Sequence, residues 1–235
     1  MLENGLQYYI KKNLGIDAKR VTTQNNQCYV TGRLGDNFKF SYNINDEKVY
    51  SNTIKMTRFS EIIDEIPIAI SEKIHQEIDL VAGKCKDLKV AIVGVYHSYT
   101  KTGANGDAHI KSYLWVKYME IIPETEANPV DENNIYMEGF ICKPVVCRKT
   151  LRRRKIADVF VAVNRPHRKT DYIPCITWSD RATFAGSLSV GDKVRIIGRL
   201  QNREEKLKDQ EPDSTGKVKV KIHYEVAISD LEKVE

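Results

Sequence analysis

DEIPIAIS (Asp64–Ser71) and DYIPCITW (Asp171–Trp178) are one short strand written twice. Both are rich in β-branched residues, carry an Ile-Pro pair at the same point, and lie 107 positions apart. The same offset relates Gly32 in YVTGRL to Gly139 in YMEGFI, and Arg58 to Arg165. KVAIVGVY (Lys89–Tyr96) matches KVRIIGRL (Lys193–Leu200) at an offset of 104, so element order is kept while one loop differs by three residues. A period near 105 in a chain of 235 residues marks a tandem duplication of a small domain, whereas repeats of about 20–50 residues would mark a solenoid.

Two units of that size each bury a modest core. PETEANPVDENN (Pro123–Asn134), with two prolines, four carboxylates and no basic residue, reads as an exposed connector. The domains are therefore expected over residues 1–125, with a short amphipathic N-terminal helix (Leu6, Tyr9, Ile10, Leu14, then Gly15), and 130–235. In the first unit QCYVTGRL, NFKFSYNI, EIPIAIS, KVAIVGVY and SYLWVKYMEI read as strands; in the second IYMEGFI, ADVFVAVN, YIPCITW, KVRIIGRL and KIHYEVAIS do. A helical segment follows each third strand, SEKIHQEIDLV from Ser71 and SDRATFAGSL from Ser179, with serine as the expected N-cap. Three strands, a helix and two strands is the order of the OB-fold barrel, whose face and loops bind oligonucleotides. The fold expected is mainly β, two tandem five-stranded OB barrels. Gly32, Gly94, Gly139 and Gly198 sit inside strand patterns, where a small closed barrel needs sharp bends; isolated bulges are the alternative.

The charge is uneven. Residues 1–129 carry 16 basic and 16 acidic groups, and residues 130–235 carry 21 and 16. Lys143, Arg148, Lys149, Arg152, Arg153, Arg154, Lys155, Arg165, Arg168 and Lys169 fall in one stretch with a single acid, Asp158. They belong to the two loops flanking the second strand of the second unit, and are expected at one barrel mouth, tracking a phosphate backbone. A solvated basic face is the bland alternative. Single strands are selected by aromatic faces, and a period of two places Tyr172, Pro174, Ile176 and Trp178 on one side of their strand. Phe160 and Phe140 are expected in the core. The first unit's third strand has Glu65 and Ser71 at the two ring positions, so the unit lacks both the phosphate track and the stacking pair and is expected to bind little; Tyr96, Tyr99, Tyr113 and Trp115 remain for DNA contact or for an interface.

Five cysteines without a C-x-x-C pair point to neither a disulfide framework nor a zinc site. No long apolar run or basic-apolar leader is present, so no membrane partner is expected and the cytoplasm is the expected location. The five histidines are scattered and no catalytic motif occurs, so neither enzymatic activity nor a cofactor is expected.

IYMEGFICKPVVCRKT, IADVFVAVNRPHRKTDYIPCITW and VGDKVRIIGRLQNRE resemble the two-barrel single-stranded-DNA-binding proteins of clostridia and related Firmicutes and their mobile elements. RFSEIIDEIPIAISEKI matches in the first half, and the resemblance spans most of residues 28–235. It implies sequence-tolerant single-stranded DNA binding in replication, recombination, repair or mobile-element processing. It also implies stacking by Tyr172 and Trp178, nucleic-acid binding by Arg199 and Arg203 of the Gly-Arg-x-Gln-x-Arg-Glu segment, and a homodimer supplying four barrels. Glu205 stands where that pattern usually has tyrosine, and SDLEKVE lacks the acidic, Pro-Phe-ended tail that recruits replication partners. A protein-interaction scaffold using the neutral first unit, or an RNA binder, are the alternatives.

Overall fold

The computed structural model describes residues 11, 15, 25–102, 106, 108–150, 153–206 and 220–234. The expected N-terminal helix around Leu6–Leu14 and the side chain of Arg152 lie outside them. The first half contains β1 (Asn26–Leu34), β2 (Lys39–Ile44), β3 (Glu47–Thr57), β4 (Ile63–Ser71), α1 (Glu72–Ala82), β5 (Lys89–Thr102) and β6 (Ala108–Ile121). The second contains β7 (Asn133–Ile141), β8 (Val146–Lys149), β9 (Lys155–Arg165), β10 (Lys169–Trp178), α2 (Ser179–Ala185), β11 (Lys193–Lys206) and β12 (Val220–Lys233).

Each half closes on itself. In the first, β1 pairs with β3, β3 with β4, β4 runs parallel to β6, β6 pairs with β5, and β5 returns to β1. In the second, β7, β9, β10, β12 and β11 repeat that cycle. This closed five-strand order is the OB barrel. One strand assignment needs correction: NFKFSYNI supplies β2, an edge strand with every residue exposed, and β3 is the second strand of the first barrel. In β3 only Val49, Ile54 and Met56 are buried, and the polar run Ser51–Thr53 hides the period. β8 is the matching edge strand of the second barrel.

Close packing accounts for the four strand glycines. A Cβ on Gly32, Gly94, Gly139 or Gly198 would lie 2.4–2.5 Å from a carbonyl oxygen of the facing strand. Bulges also occur at Gly94 and Gly198, so bend and bulge coincide there.

Repeat and register together define a pseudo-twofold axis. β1 and β7 pair antiparallel with Cys28 opposite Ile135, which is its own repeat equivalent, and with Gln27 opposite Tyr136 and Tyr29 opposite Asn134. The duplication thus joins two barrels into one sheet about an axis through that pair. Asn26 and Asn133, also equivalent, each use a side-chain amide to bond both backbone groups of a neighbouring strand residue, Tyr96 and Leu200. One apolar cluster runs through both interiors.

Ser71 caps α1, accepting a hydrogen bond from the Ile74 N–H at 3.5 Å, and Gly83 ends that helix at φ +63°. Ser179 does not cap α2. It adopts φ +58°, and the cap position falls on Trp178, the repeat equivalent of Ser71, which makes no side-chain cap bond. In the connector residues 123–126 and 128–130 are exposed, whereas Asp131 is drawn inward. Its carboxylate is buried against Lys89 Nζ at 2.5 Å and accepts from Thr57 N at 2.8 Å and Thr31 Oγ1 at 3.1 Å. A thiol-labelling time course tests the interior: burial pushes the Cys28 and Cys175 thiols far above the usual range. Exposed Cys147 should label in the native state, and these two only on unfolding.

Candidate nucleic-acid interface

β10 divides its side chains as the alternation predicts. Ile173, Cys175 and Thr177 are buried inside the barrel, while Tyr172 is exposed and Pro174 and Trp178 are half-buried on the outer face. Ile176, also outward, is buried beneath Trp178 in a small cluster with Ile156 and Ala227. Trp178 therefore has one side against protein and is not a freely standing ring.

The outer face of the second barrel carries a groove of about 510 Å³. Its floor holds Phe160 and Pro174, register partners on β9 and β10, with Tyr224 of β12 beside them. Its walls carry Lys143, Arg148, Arg203 and Lys221. Phe160 is thus a groove residue and not the core residue expected, and Lys143 Nζ lies 4.5 Å from its ring centroid. Phe140 is likewise exposed instead of buried. Aromatic and proline faces framed by cations suit a strand of unstacked bases with its phosphates toward the rim.

The basic cluster does not gather at one mouth. Arg153 and Arg154 lie in the β8–β9 hairpin, and Arg165, Arg168 and Lys169 lie at the β9–β10 turn. These are opposite ends of an 11-residue strand, about 33 Å apart at roughly 3.3 Å per residue. The loop count in the sequence was right, but β8 and β9 form a hairpin whose tip turns away from the other loop.

The cations also differ in state. Arg148 pairs with Asp158 through two bonds of 2.8 and 3.1 Å, and Arg203 lies 3.5 Å from Glu225. A phosphate reaching either guanidinium competes with a carboxylate. Arg165 and Arg199 turn toward buried carboxylates where the barrels meet, Asp171 at 3.2 Å and Asp64 at 3.5 Å. Burial, with Arg58 nearby, holds Arg199 below the usual arginine range. Lys155 donates to Thr183 Oγ1 at 3.0 Å. Among the described residues Lys149, Arg153, Arg154, Arg168 and Lys169 are exposed and have no carboxylate partner.

Tyr224 was missed from sequence. The alternation that buries Val226 and Ile228 points it inward, but Tyr224 is only half-buried and lines the groove. Tyr224 and Lys111 also line a second groove of about 410 Å³ on the first barrel. That groove is walled by Tyr42, Tyr99, Tyr113 and Pro67, the last being the repeat equivalent of Pro174. Tyr99 and Tyr113 have ring centroids 6.0 Å apart.

Fold and grooves define a class: a tandem pair of OB barrels with adjoining grooves that share Lys111 and Tyr224. Residues 132–232, the second barrel, match the model of the single-strand binding protein family. Among curated protein sequences none matches the chain. Two solved structures are similar across most of its length. One is the wild-type single-stranded DNA binding protein from Thermus aquaticus, with 15% identity, 89% of this chain and 93% of that chain covered, and a TM-score of 0.69. The other is a deletion mutant of the same protein, with 16% identity, 89% and 94% covered, and a TM-score of 0.66. At that identity the likeness establishes the shared fold.

Proposed function

We propose that this chain binds single-stranded DNA without strong sequence preference and acts in replication, recombination, repair or the processing of mobile-element DNA, without catalysis of its own. The observation that carries this reading is the groove on the second barrel, where Phe160, Pro174 and Tyr224 offer stacking faces between Lys143, Arg148, Arg203 and Lys221. It lies in the segment that matches the single-strand binding family. We take residues 1–125 and 130–235 as the two units, Tyr172 and Trp178 as outlying stacking positions, and two chains as the working assembly.

The test is a titration of a Trp115→Phe chain, in which Trp178 is the only indole left, with oligo(dT) and with duplex of equal length at two salt concentrations. Quenching by the single strand at lower concentration than by duplex is the expected result; equal or no binding would sink the reading. Uridine oligomers in the same assay separate DNA from RNA. Arg153→Ala with Arg154→Ala should flatten the log K against log salt slope by about 0.7 per lost contact. An unchanged slope would remove that hairpin from the phosphate track.

A second reading has one observation in its favour. In the β3–β4 turn Phe59 is 92% exposed, and Ile62 and Ile63 are exposed beside it, an apolar tip that suits a protein partner.

A further inference from the structure

We propose that the groove of the first barrel is completed by the second: Tyr99 and Tyr113 of one unit and Arg168 and Lys169 of the other form a composite subsite for the same single strand. The inference rests on the nucleic-acid reading above and extends it to a half of the chain that carries no net charge.

The first barrel supplies rings but few cations. It contributes three tyrosines to its groove, with Tyr99 52% exposed and so open to a base, and among the described residues Lys111 is the basic residue that lines it. Its own β3–β4 turn, Phe59-Ser60-Glu61-Ile62, stands where the second barrel has Pro166-His167-Arg168-Lys169. That turn has no positive charge to give.

The β9–β10 turn of the second barrel is fastened beside this groove. Asp171, fully buried, accepts from Ser98 N at 2.7 Å, lies 2.8 Å from His97 Nδ1, and holds Arg165 at 3.2 Å. Ser98 Oγ in turn accepts from Tyr172 N at 2.7 Å. His97 and Tyr99 are alternate residues of β5, and both ring centroids lie 6.0 Å from that of Tyr113. The carboxylate therefore ties the basic turn to the stretch of β5 that presents Tyr99, against which Tyr113 of β6 packs. Left-handed backbone at His167 (φ 61°) and Arg168 (φ 57°) makes the turn tight, which leaves Arg168 and Lys169 exposed at its tip. Arg165 also acts on the outer face of β6: with burial, its charge holds Lys117 below the usual lysine range.

The two grooves adjoin. Lys111 and Tyr224 line both, so a strand leaving Phe160 past Tyr224 is led toward Tyr113 and Tyr99. The charge asymmetry between the halves then marks a division of parts within one path, with phosphate contacts mostly from one barrel and rings from both.

The experiment compares oligo(dT) of about 8 and about 30 nucleotides, since one OB barrel spans roughly 4–16. Full-length Tyr99→Ala, Arg168→Ala/Lys169→Ala and the combined variant are used, with folding checked by circular dichroism. Tyr99→Ala should lose about 5- to 150-fold on the long oligonucleotide, the range of one stacking contact, and much less on the short one. The double basic variant should show the same length dependence and a lower salt slope. The combined variant should lose little more than the worse of the two, because releasing the strand at either point frees the whole segment. If Tyr99→Ala weakens long-strand binding while the basic variant changes neither affinity nor slope, the first barrel works alone and the composite subsite is wrong. Wild-type-like binding by Tyr99→Ala would remove the subsite altogether. Failure of the unmodified chain to bind either oligonucleotide would overturn the underlying function as well, and is told apart by that control.

Discussion

Replacing Asp171 with alanine is expected to destabilise the folded chain by about 3–5 kcal/mol, the usual cost of removing one partner from a buried ion pair. The side chain is fully buried, and three groups lose their acceptor at once: the Ser98 amide, His97 and the Arg165 guanidinium, which is itself only 26% exposed. Asp64, its repeat equivalent, should behave alike. It is 1% exposed, accepts two bonds of 2.5 Å from Arg58, and also faces Arg199. Asp171→Asn should fall between alanine and wild type, because an amide oxygen still accepts from Ser98 but no longer neutralises Arg165. Urea unfolding midpoints read the effect directly. A loss below about 1 kcal/mol for Asp171→Ala would mean that the barrels do not depend on this junction.

Phe160→Ala and Tyr224→Ala are each expected to weaken single-strand binding by about 1–3 kcal/mol while the chain stays folded. Phe160 is half-buried on the barrel's outer face, so truncating it leaves no cavity in the main core, and it also removes the ring beneath Lys143. Tyr224 borders both grooves, so its loss should grow with oligonucleotide length and that of Phe160 should not. Filter-binding or anisotropy titrations on folded protein measure both. A Phe160→Ala chain that binds normally but melts far earlier would return the ring to the core, where the sequence had placed it.

That misplacement has a physical origin. Phe160 sits in IADVFVAVN, a run so apolar that period-two reading cannot tell an inner ring from an outer one; Val159, Val161 and Val163 turned out to be the buried set. β10 alternates Tyr172, Pro174 and Trp178 with Ile173, Cys175 and Thr177, so its two faces were legible. β3 was missed because polar residues occupy its middle, although the repeat from Arg58 to Arg165 already implied a strand equivalent to β9.

The sequence by itself determined the duplication, the strand order that makes each half an OB barrel, the division of the β10 side chains between two faces and the uneven charge. These are local or periodic properties, readable wherever side-chain type alternates or an offset recurs. Only the tertiary structure decided that the two basic loops lie at opposite ends of β9, that Asp64 and Asp171 each serve the junction with the other barrel, and that Tyr224 and Lys111 line both grooves. Such relations depend on which distant strands pair and where a barrel closes. Those choices are made by burial summed over the whole sheet, and no single stretch of the chain records them.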